Sequence, residues 1–442
     1  MQADNVKDAD VVVVGAGLAG LVAAVRLAEA GQRVLVLEAS RHVGGRAMTT
    51  REDGFSFNLG AHALYRNGAG ARVLNQLGIP LRGRIPNGKS VVIRDDRTFK
   101  LPDGFVSLVS TRAIGLKGKR ELAGLLTRLP EIDHHRLDAV PVREWIDGEL
   151  QDAGTRLLLE GLVRLTTYAN APEELSAGVA VEQLQLALKA GVLYLDGGWQ
   201  SIVDALSARL KAAGGTMLTS TPLSQVRIDG DAVSGVVLSE GREISARCVV
   251  LAVPPKIAAE LIPHGYGTTV RRFADGAVPV LAGCLTVGLN RWDDRQPTFA
   301  LGLDQPLYYS VHSPFAELAP PRGALIHLMK YLGNDRPEPA QLRLELESLL
   351  ERMQPGWREQ LVVDQFLPSM TVVPAIDLAS GGGSLGRPPV VVDDVAGLRV
   401  AGDWAGSEGT LADASIASGY RAAETILEDI GHHQEQSACH AG

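Results

Sequence analysis

Cysteine is scarce: three residues, Cys248, Cys284 and Cys439, in a chain of 442. They lie far apart, with no CxxC and no metal-ligand spacing. That excludes a disulfide framework and leaves no metal site to expect; a reducing compartment, the cytoplasm, is the simplest setting. Excess positive charge is also missing. The formal net charge is -8 and the pI about 5.7, which argues against a nucleic-acid partner. No apolar run is long enough to cross a bilayer: the longest, Val11 to Val25, is cut by glycines and ended by Arg26. The opening residues, MQADNVKDAD, have no basic region of the kind that begins a secretory leader. What remains is an ordinary globular composition, 45% hydrophobic and 21% charged, over a length that implies two or three domains.

Glycine is plentiful, and its placement is informative. DVVVVGAGLAGLVAAVRLAEAGQRVLVLEASRHVGGR runs from Asp10 to Arg46. Val11–Val14 read as a short buried strand, and Leu21 to Ala30 as a helix closed by Gly31. Gln32–Leu37 read as a second strand with Glu38 at its end. Gly15, Gly17 and Gly20 form GxGxxG between the first strand and the helix. Gly15 permits the tight turn, Gly17 lets backbone approach a pyrophosphate, and Gly20 lets helix and strand pack closely. The helix N-terminus, at Leu18 and Ala19, offers free N–H groups to phosphate. Glu38, followed by Ala39, is placed to accept hydrogen bonds from a ribose diol. An acid there disfavours a 2′-phosphate, so NADP is set aside. NAD and FAD both remain.

The residues that follow, SRHVGGR, end in Gly44, Gly45 and Arg46. With GxGxxG and Glu38 they resemble the flavin amine oxidase and phytoene desaturase superfamily, which includes protoporphyrinogen oxidase-like proteins and binds FAD. Four later segments are similar to that family in the same order. FSFNLGAHALY, with Gly60, Ala61 and His62, resembles the strand and turn beside the flavin. LDGGWQSIVDAL resembles its GG turn into a helix. VRIDGDAVSGVVLSEGREISARCVVLAVPP, with Val226 and Ala252, resembles the adenine-side hairpins. LRVAGDWAGSEGTLADASIASGYRAAETIL, with Gly402, Asp403, Leu411 and Ala412, resembles the last flavin motif. The resemblance implies that Arg46 faces the pyrophosphate, that Asp403 bonds near the ribityl–phosphate region, and that N–H groups at Leu411 and Ala412 face the flavin pyrimidine. It implies an α/β, two-domain Rossmann-type fold, like glutathione reductase, with a mixed α+β substrate domain. The expected division is 1–78, 196–260 and 390–432 for FAD, 79–195 and 261–389 for substrate, and a flexible tail at 433–442. Noncovalent FAD is expected, since no cysteine lies near the last motif; His62 is the one alternative attachment point.

The family's chemistry is hydride transfer to flavin N5. The chain departs from the amine oxidases where they carry aromatic residues: it has Thr410 before the last helix, and Ser384 and Leu385 on the preceding glycine-rich segment. It also lacks a lysine on CLTVGLNRW. These departures suit dehydrogenation of a largely apolar small molecule. An amine or amino-acid oxidase with an atypical pocket, a redox-neutral flavin isomerase and a non-catalytic FAD-binding protein stay open. The candidate catalytic residues are His62 (acid or base, or plain packing), Gln200, Tyr308 and Lys330. The candidate pocket residues are Trp199, Tyr309, Met329 and Trp404. Alternation puts Tyr308 and Tyr309 on opposite faces of one strand, so at most one points inward. The segment 107–129 interleaves Arg112, Lys117, Lys119 and Arg120 with apolar residues. It is a candidate for peripheral membrane contact or, alternatively, a solvated helix face.

Overall fold

The computed structural model describes residues 7–102 and 110–440, the stretch 433–440 as backbone alone. Strand β1 (Val11–Val14), helix α1 (Leu18–Glu29) and strand β2 (Val34–Leu37) follow one another as the apolar periods require. Both strands are buried at every position. They pair in parallel inside a five-stranded parallel sheet whose order is Thr216–Leu218, β2, β1, Cys248–Leu251, Leu398–Val400. Parallel strands covered on both faces need continuous apolar runs, and VVVV, VLVL and CVVL supply them. α1 packs against the long last helix, Leu411–His440. Gly419 makes that approach possible, since a Cβ there would fall 2.2 Å from the Ala19 carbonyl oxygen. An antiparallel sheet of Leu223–Asp229, Ala232–Leu238 and Glu243–Ser245 stands beside this unit.

The second large layer is a seven-stranded sheet. Its order is Leu361–Val373, Val280–Leu289, Ala324–Tyr331, Leu307–Val311, Phe299–Gly302, Ser90–Arg94, Arg97–Lys100. The three strands expected between residues 278 and 332 form its centre. The outer strands complete it from segments whose patterns are weaker. One face carries helix Pro339–Met353, packed through Leu342, Leu346, Leu349 and Leu350. The other face, rowed by Cys284, Met329 and Tyr308, looks toward the Gly60–His62 turn and helices Leu116–Arg128 and Ala153–Thr167. The interval 104–195 is mainly helical as far as it is described, with Val142–Glu149 and Ala177–Ala190 besides those two.

Among the described residues no helix is long and apolar enough to cross a membrane. Of the segment 107–129, residues 107–109 lie outside the described residues. Its helix buries Leu122 and Leu125 and leaves Leu116 68% exposed beside Lys117, which pairs with Glu121 at 3.8 Å. Where composition suggests a loose tail from residue 433, the backbone is helical as far as His440; 441 and 442 lie outside the described residues.

Candidate active site

The glycines of the first turn are distinguished by what a side chain would meet. Gly15 has φ +100°, and a Cβ there would lie 2.5 Å from the Ala252 carbonyl oxygen. A Cβ on Gly20 would lie 1.9 Å from the Gly15 carbonyl oxygen. Those two positions are closed by protein. Gly17 is the opposite case: a Cβ there would meet nothing within 4 Å. Gly17 is also the N-cap of α1, and no side chain caps that helix. Free N–H groups therefore face open space at the positive end of the helix dipole, the arrangement that receives phosphate. Gly44 donates to the Ala16 carbonyl at 2.8 Å and pairs with Gly17, which brings the second glycine turn against the first. A Cβ on Gly45 would meet only the Gly17 Cα, at 3.6 Å.

Glu38 stands at the mouth of this cradle. Its carboxylate accepts the Ala16 and Ser40 N–H groups, each at 2.8 Å, and keeps further lone pairs for a diol. Arg46 makes a two-pronged ion pair with Asp403, at 2.6 and 2.7 Å, and also donates to the Val372 carbonyl. Asp403 is buried and Arg46 half-exposed, so this pair ties the first turn to the last. Behind it, Arg387 holds Asp377 through two hydrogen bonds, at 2.7 and 2.6 Å, and donates to the Gly409 carbonyl at 2.9 Å. Asp403, Arg387, Asp377, Thr410 and Leu411 line one cavity together. The Thr410 hydroxyl is buried there without a partner, and Leu411 begins the last helix with φ +54°.

A sequence model of the flavin containing amine oxidoreductase family matches residues 18–427. The chain belongs to that family. Its cofactor is FAD. A putrescine oxidase of Kocuria rosea is 29% identical over 286 residues, which cover 57% of this chain and 58% of that protein. A 15-cis-phytoene desaturase of an Oncidium hybrid cultivar is 26% identical over 318 residues, covering 66% of this chain and 53% of that protein. The chain thus spans little more than half the length of these curated relatives. A solved structure of an oxidoreductase from Methanosarcina mazei superposes with a TM-score of 0.77 at 20% identity, covering 95% of this chain and 99% of that one. That likeness is one of fold. The residues present fit the cofactor, on the open Gly17 cradle, the uncapped helix and the unpartnered Thr410 hydroxyl.

The remaining candidates separate by location. Gly60 and Ala61 form the turn opposite the seven-stranded sheet, where a Cβ on Gly60 would lie 3.1 Å from Met370. His62 follows. Its Nδ1 and Nε2 lie 3.1 Å from the Gly60 and Arg46 carbonyls, and its ring meets Trp199 edge-on at 5.2 Å. Trp199 is a buried core residue backing His62. Ala252 sits under Gly15, and Val226, on strand Leu223–Asp229, is fully buried in the core. Gly402 has φ +145° and its N–H donates to the Ser418 hydroxyl at 2.9 Å, and Ala412 continues the last helix after Leu411.

Four expectations for the pocket fail on direction. Lys330 points to the helix side of its sheet and pairs with Glu345 at 2.7 Å. Tyr309 lies on that same far face, where Gln354 donates to its hydroxyl. Trp404 packs against Phe273 in the core and donates to the Val253 carbonyl at 2.9 Å. The Gln200 side chain is spent on Asp204 and the Thr49 N–H, fixing helix Gln200–Ala212 to a neighbouring strand. Tyr308 and Met329 do face the turn, with Cys284 completing their row. Tyr168 was not legible as a site residue. It ends helix Ala153–Thr167 with φ +60°, donates to the Ala61 carbonyl at 2.9 Å and lies edge-on to Tyr331 at 6.2 Å. Tertiary packing alone brings it there. Burial pushes the Tyr308 phenol and the Cys284 thiol each up to about 12, and holds Tyr168 and Tyr331 well above the ordinary phenol value. This wall is therefore uncharged at neutral pH.

On the same inner face, one row along from Tyr308 and Met329, two imidazoles are buried. His312 stacks on Tyr194 at 3.7 Å and meets His327 at 4.4 Å. Burial pushes His327 down to about 3 and His312 well below its usual range; His62 is lowered in the same way. Above pH 6.5 these rings are neutral in folded and unfolded chains alike. Below it the unfolded chain takes up protons that the fold refuses, and each of His312 and His327 then removes about 1.4 kcal/mol per pH unit. Asp413, which burial pushes up to about 7 from 3.8, acts in the opposite sense between those values and offsets one of them. Net stability should fall as pH drops from about 6.5 to 4. Urea midpoints across that range, for the parent and His327→Asn, check this. The variant should show the shallower decline, and an unchanged slope refutes the assignment.

Proposed function

We propose that the protein is an FAD-dependent oxidoreductase that dehydrogenates a largely apolar small molecule held between the Gly60–His62 turn and the inner face of the seven-stranded sheet. The single observation that carries this reading is the uncharged wall of Tyr168, Tyr308, Tyr331, Met329, Cys284 and Met370. An ammonium substrate would require a free carboxylate or a paired aromatic cage. The two carboxylates that line the cavity beside Leu411 are committed, Asp403 to Arg46 and Asp377 to Arg387. Thr410 precedes the last helix, and Ser384 and Leu385 lie on the preceding glycine-rich segment.

In this reading Gly17 and the α1 N-terminus receive the pyrophosphate, Glu38 the ribose, and the Leu411 turn the flavin end of a noncovalently bound FAD. Bound flavin supplies the hydride acceptor at N5. The chain's own residues position the C–H bond, exclude water, and offer His62 as the titratable side chain on the turn. His62 has a carbonyl beside each ring nitrogen. The neutral ring donates to one of them and an imidazolium would donate to both, but burial lowers its pKa, so the ring rests neutral.

The test is anaerobic reduction of the purified flavoprotein, followed by its visible absorption. Isoprenoid or other lipid-like substrates should bleach the bands, and di- and monoamines should not. Bleaching by amines alone would replace this reading with that of an amine oxidase. Denaturation and filtration should release the flavin as free FAD.

A further inference from the structure

Arg164 is a buried cation with an unused donor. It lies on the inner side of helix Ala153–Thr167 and is 7% exposed. One terminal nitrogen, Nη2, donates to the Gly302 and Leu303 carbonyls at 3.1 and 2.9 Å. Its Nε–H is buried and meets no acceptor. No carboxylate lies within 4 Å of it among the described residues; Glu160, one turn earlier, is held by Arg143 instead. Glycine brings this helix close to the sheet: a Cβ on Gly161 would fall 3.1 Å from Leu303 and 3.3 Å from Leu301. The guanidinium is therefore delivered to the edge of the same apolar cluster that contains Tyr308, Met329 and Tyr331.

The Tyr331 hydroxyl is buried and unpartnered in the same way. Tyr331 meets Tyr168, and Tyr168 holds the Ala61 carbonyl of the turn beside the flavin. Tyr331 thus stands one ring removed from that turn, and Arg164 lies at the Gly302–Leu303 side of the same cluster. Two unmatched donors in an apolar enclosure cost free energy unless a ligand meets them. A guanidinium and a phenol both donate, so the matching group is an acceptor, and the cation favours an anionic one. Glu160, Arg143 and Asp304 are the other charges around Arg164. Arg143 is shared between Glu160 and Glu173, and none of these carboxylates hydrogen-bonds the Arg164 guanidinium.

We propose that Arg164 and Tyr331 bind a carboxylate on the substrate, so that the molecule oxidised is an apolar chain or ring bearing an acid group at the end remote from the reacting C–H bond. This rests on the pocket assigned above.

The probes are octanoate and its uncharged analogue octanamide, titrated into the flavin-loaded protein. Binding is followed by calorimetry and by the visible difference spectrum of the flavin. Octanoate should bind about 10-fold or more tightly than octanamide, and both should perturb the flavin bands. R164M, compared with the parent at equal flavin content, should lose the preference and keep octanamide binding; Y331F should lose part of it. Octanoate binding no tighter than octanamide in the parent protein overturns the proposal without any variant, as does a preference that survives in R164M. Equal binding of both probes with a flavin response removes the carboxylate site and leaves the apolar pocket standing. Preferential octanoate binding that depends on Arg164 but leaves the flavin bands unmoved keeps the anion site and removes the pocket reading. No binding of either probe removes both.

Discussion

Gly17→Ala yields a protein that folds as the parent does but binds FAD at least about 100-fold more weakly, a loss of about 2.7 kcal/mol. The backbone at Gly17 is extended, with φ -78° and ψ -177°, so alanine adopts it without strain. Nothing in the protein lies within 4 Å of the added methyl. Its only conflict is with what approaches the α1 N-terminus, so apoprotein stability should shift by no more than about 0.5 kcal/mol. Gly20→Ala fails differently. Its methyl would sit 1.9 Å from the Gly15 carbonyl oxygen and 3.2 Å from the Ala252 Cβ, both in the buried sheet-and-helix core. The helix must retreat from the strand, at a cost of about 3 kcal/mol or more, and apoprotein stability falls together with flavin content. Melting temperatures of apoprotein and holoprotein, with FAD titrations, separate the two. Equal loss of apoprotein stability in both variants would mean that the Gly17 cradle is structural and not a ligand surface.

Arg387→Met should destabilise the protein by about 3–5 kcal/mol. The Arg387 and Asp377 side chains are 2% and 13% exposed. Removing the arginine leaves a desolvated carboxylate and the Gly409 carbonyl without their donors, and an unpaired buried charge costs more than the intact pair contributes. A double variant, Arg387→Met with Asp377→Leu, should cost clearly less than the sum of the single changes, since the stranded charge goes with its partner. Because Gly409 directly precedes Thr410 and Leu411, Arg387→Met should also lower flavin content. Denaturant unfolding of the four proteins in the cycle checks the coupling. Additive single effects would show that the pair is not a coupled unit.

The legible part of this protein is the part made locally. Val11–Val14, the three glycines, the alanine-rich helix and Glu38 are contiguous, and backbone sterics determine what each must do. Alternation also placed Tyr308 and Met329 correctly relative to Tyr309 and Lys330, because side-chain direction along a strand has period two. What alternation cannot supply is which face looks toward the cofactor. The helix Pro339–Met353 covers the face that carries Lys330 and Tyr309, and its Glu345 pairs with the lysine. Trp404 follows Gly402 and Asp403 in the chain, but Phe273, far away in the sequence, stacks on its ring.

The sequence by itself determined the family, the parallel sheet and the cofactor, because a dinucleotide cradle is built from consecutive backbone whose glycines are irreplaceable. Tertiary structure decided the chemistry of the pocket. Its wall is assembled from the Gly60 turn, the end of helix Ala153–Thr167 and four strands of a seven-stranded sheet. Whether a tyrosine or an arginine on those elements faces substrate, core or solvent depends on which neighbour packs against it, and that information is spread over the whole chain.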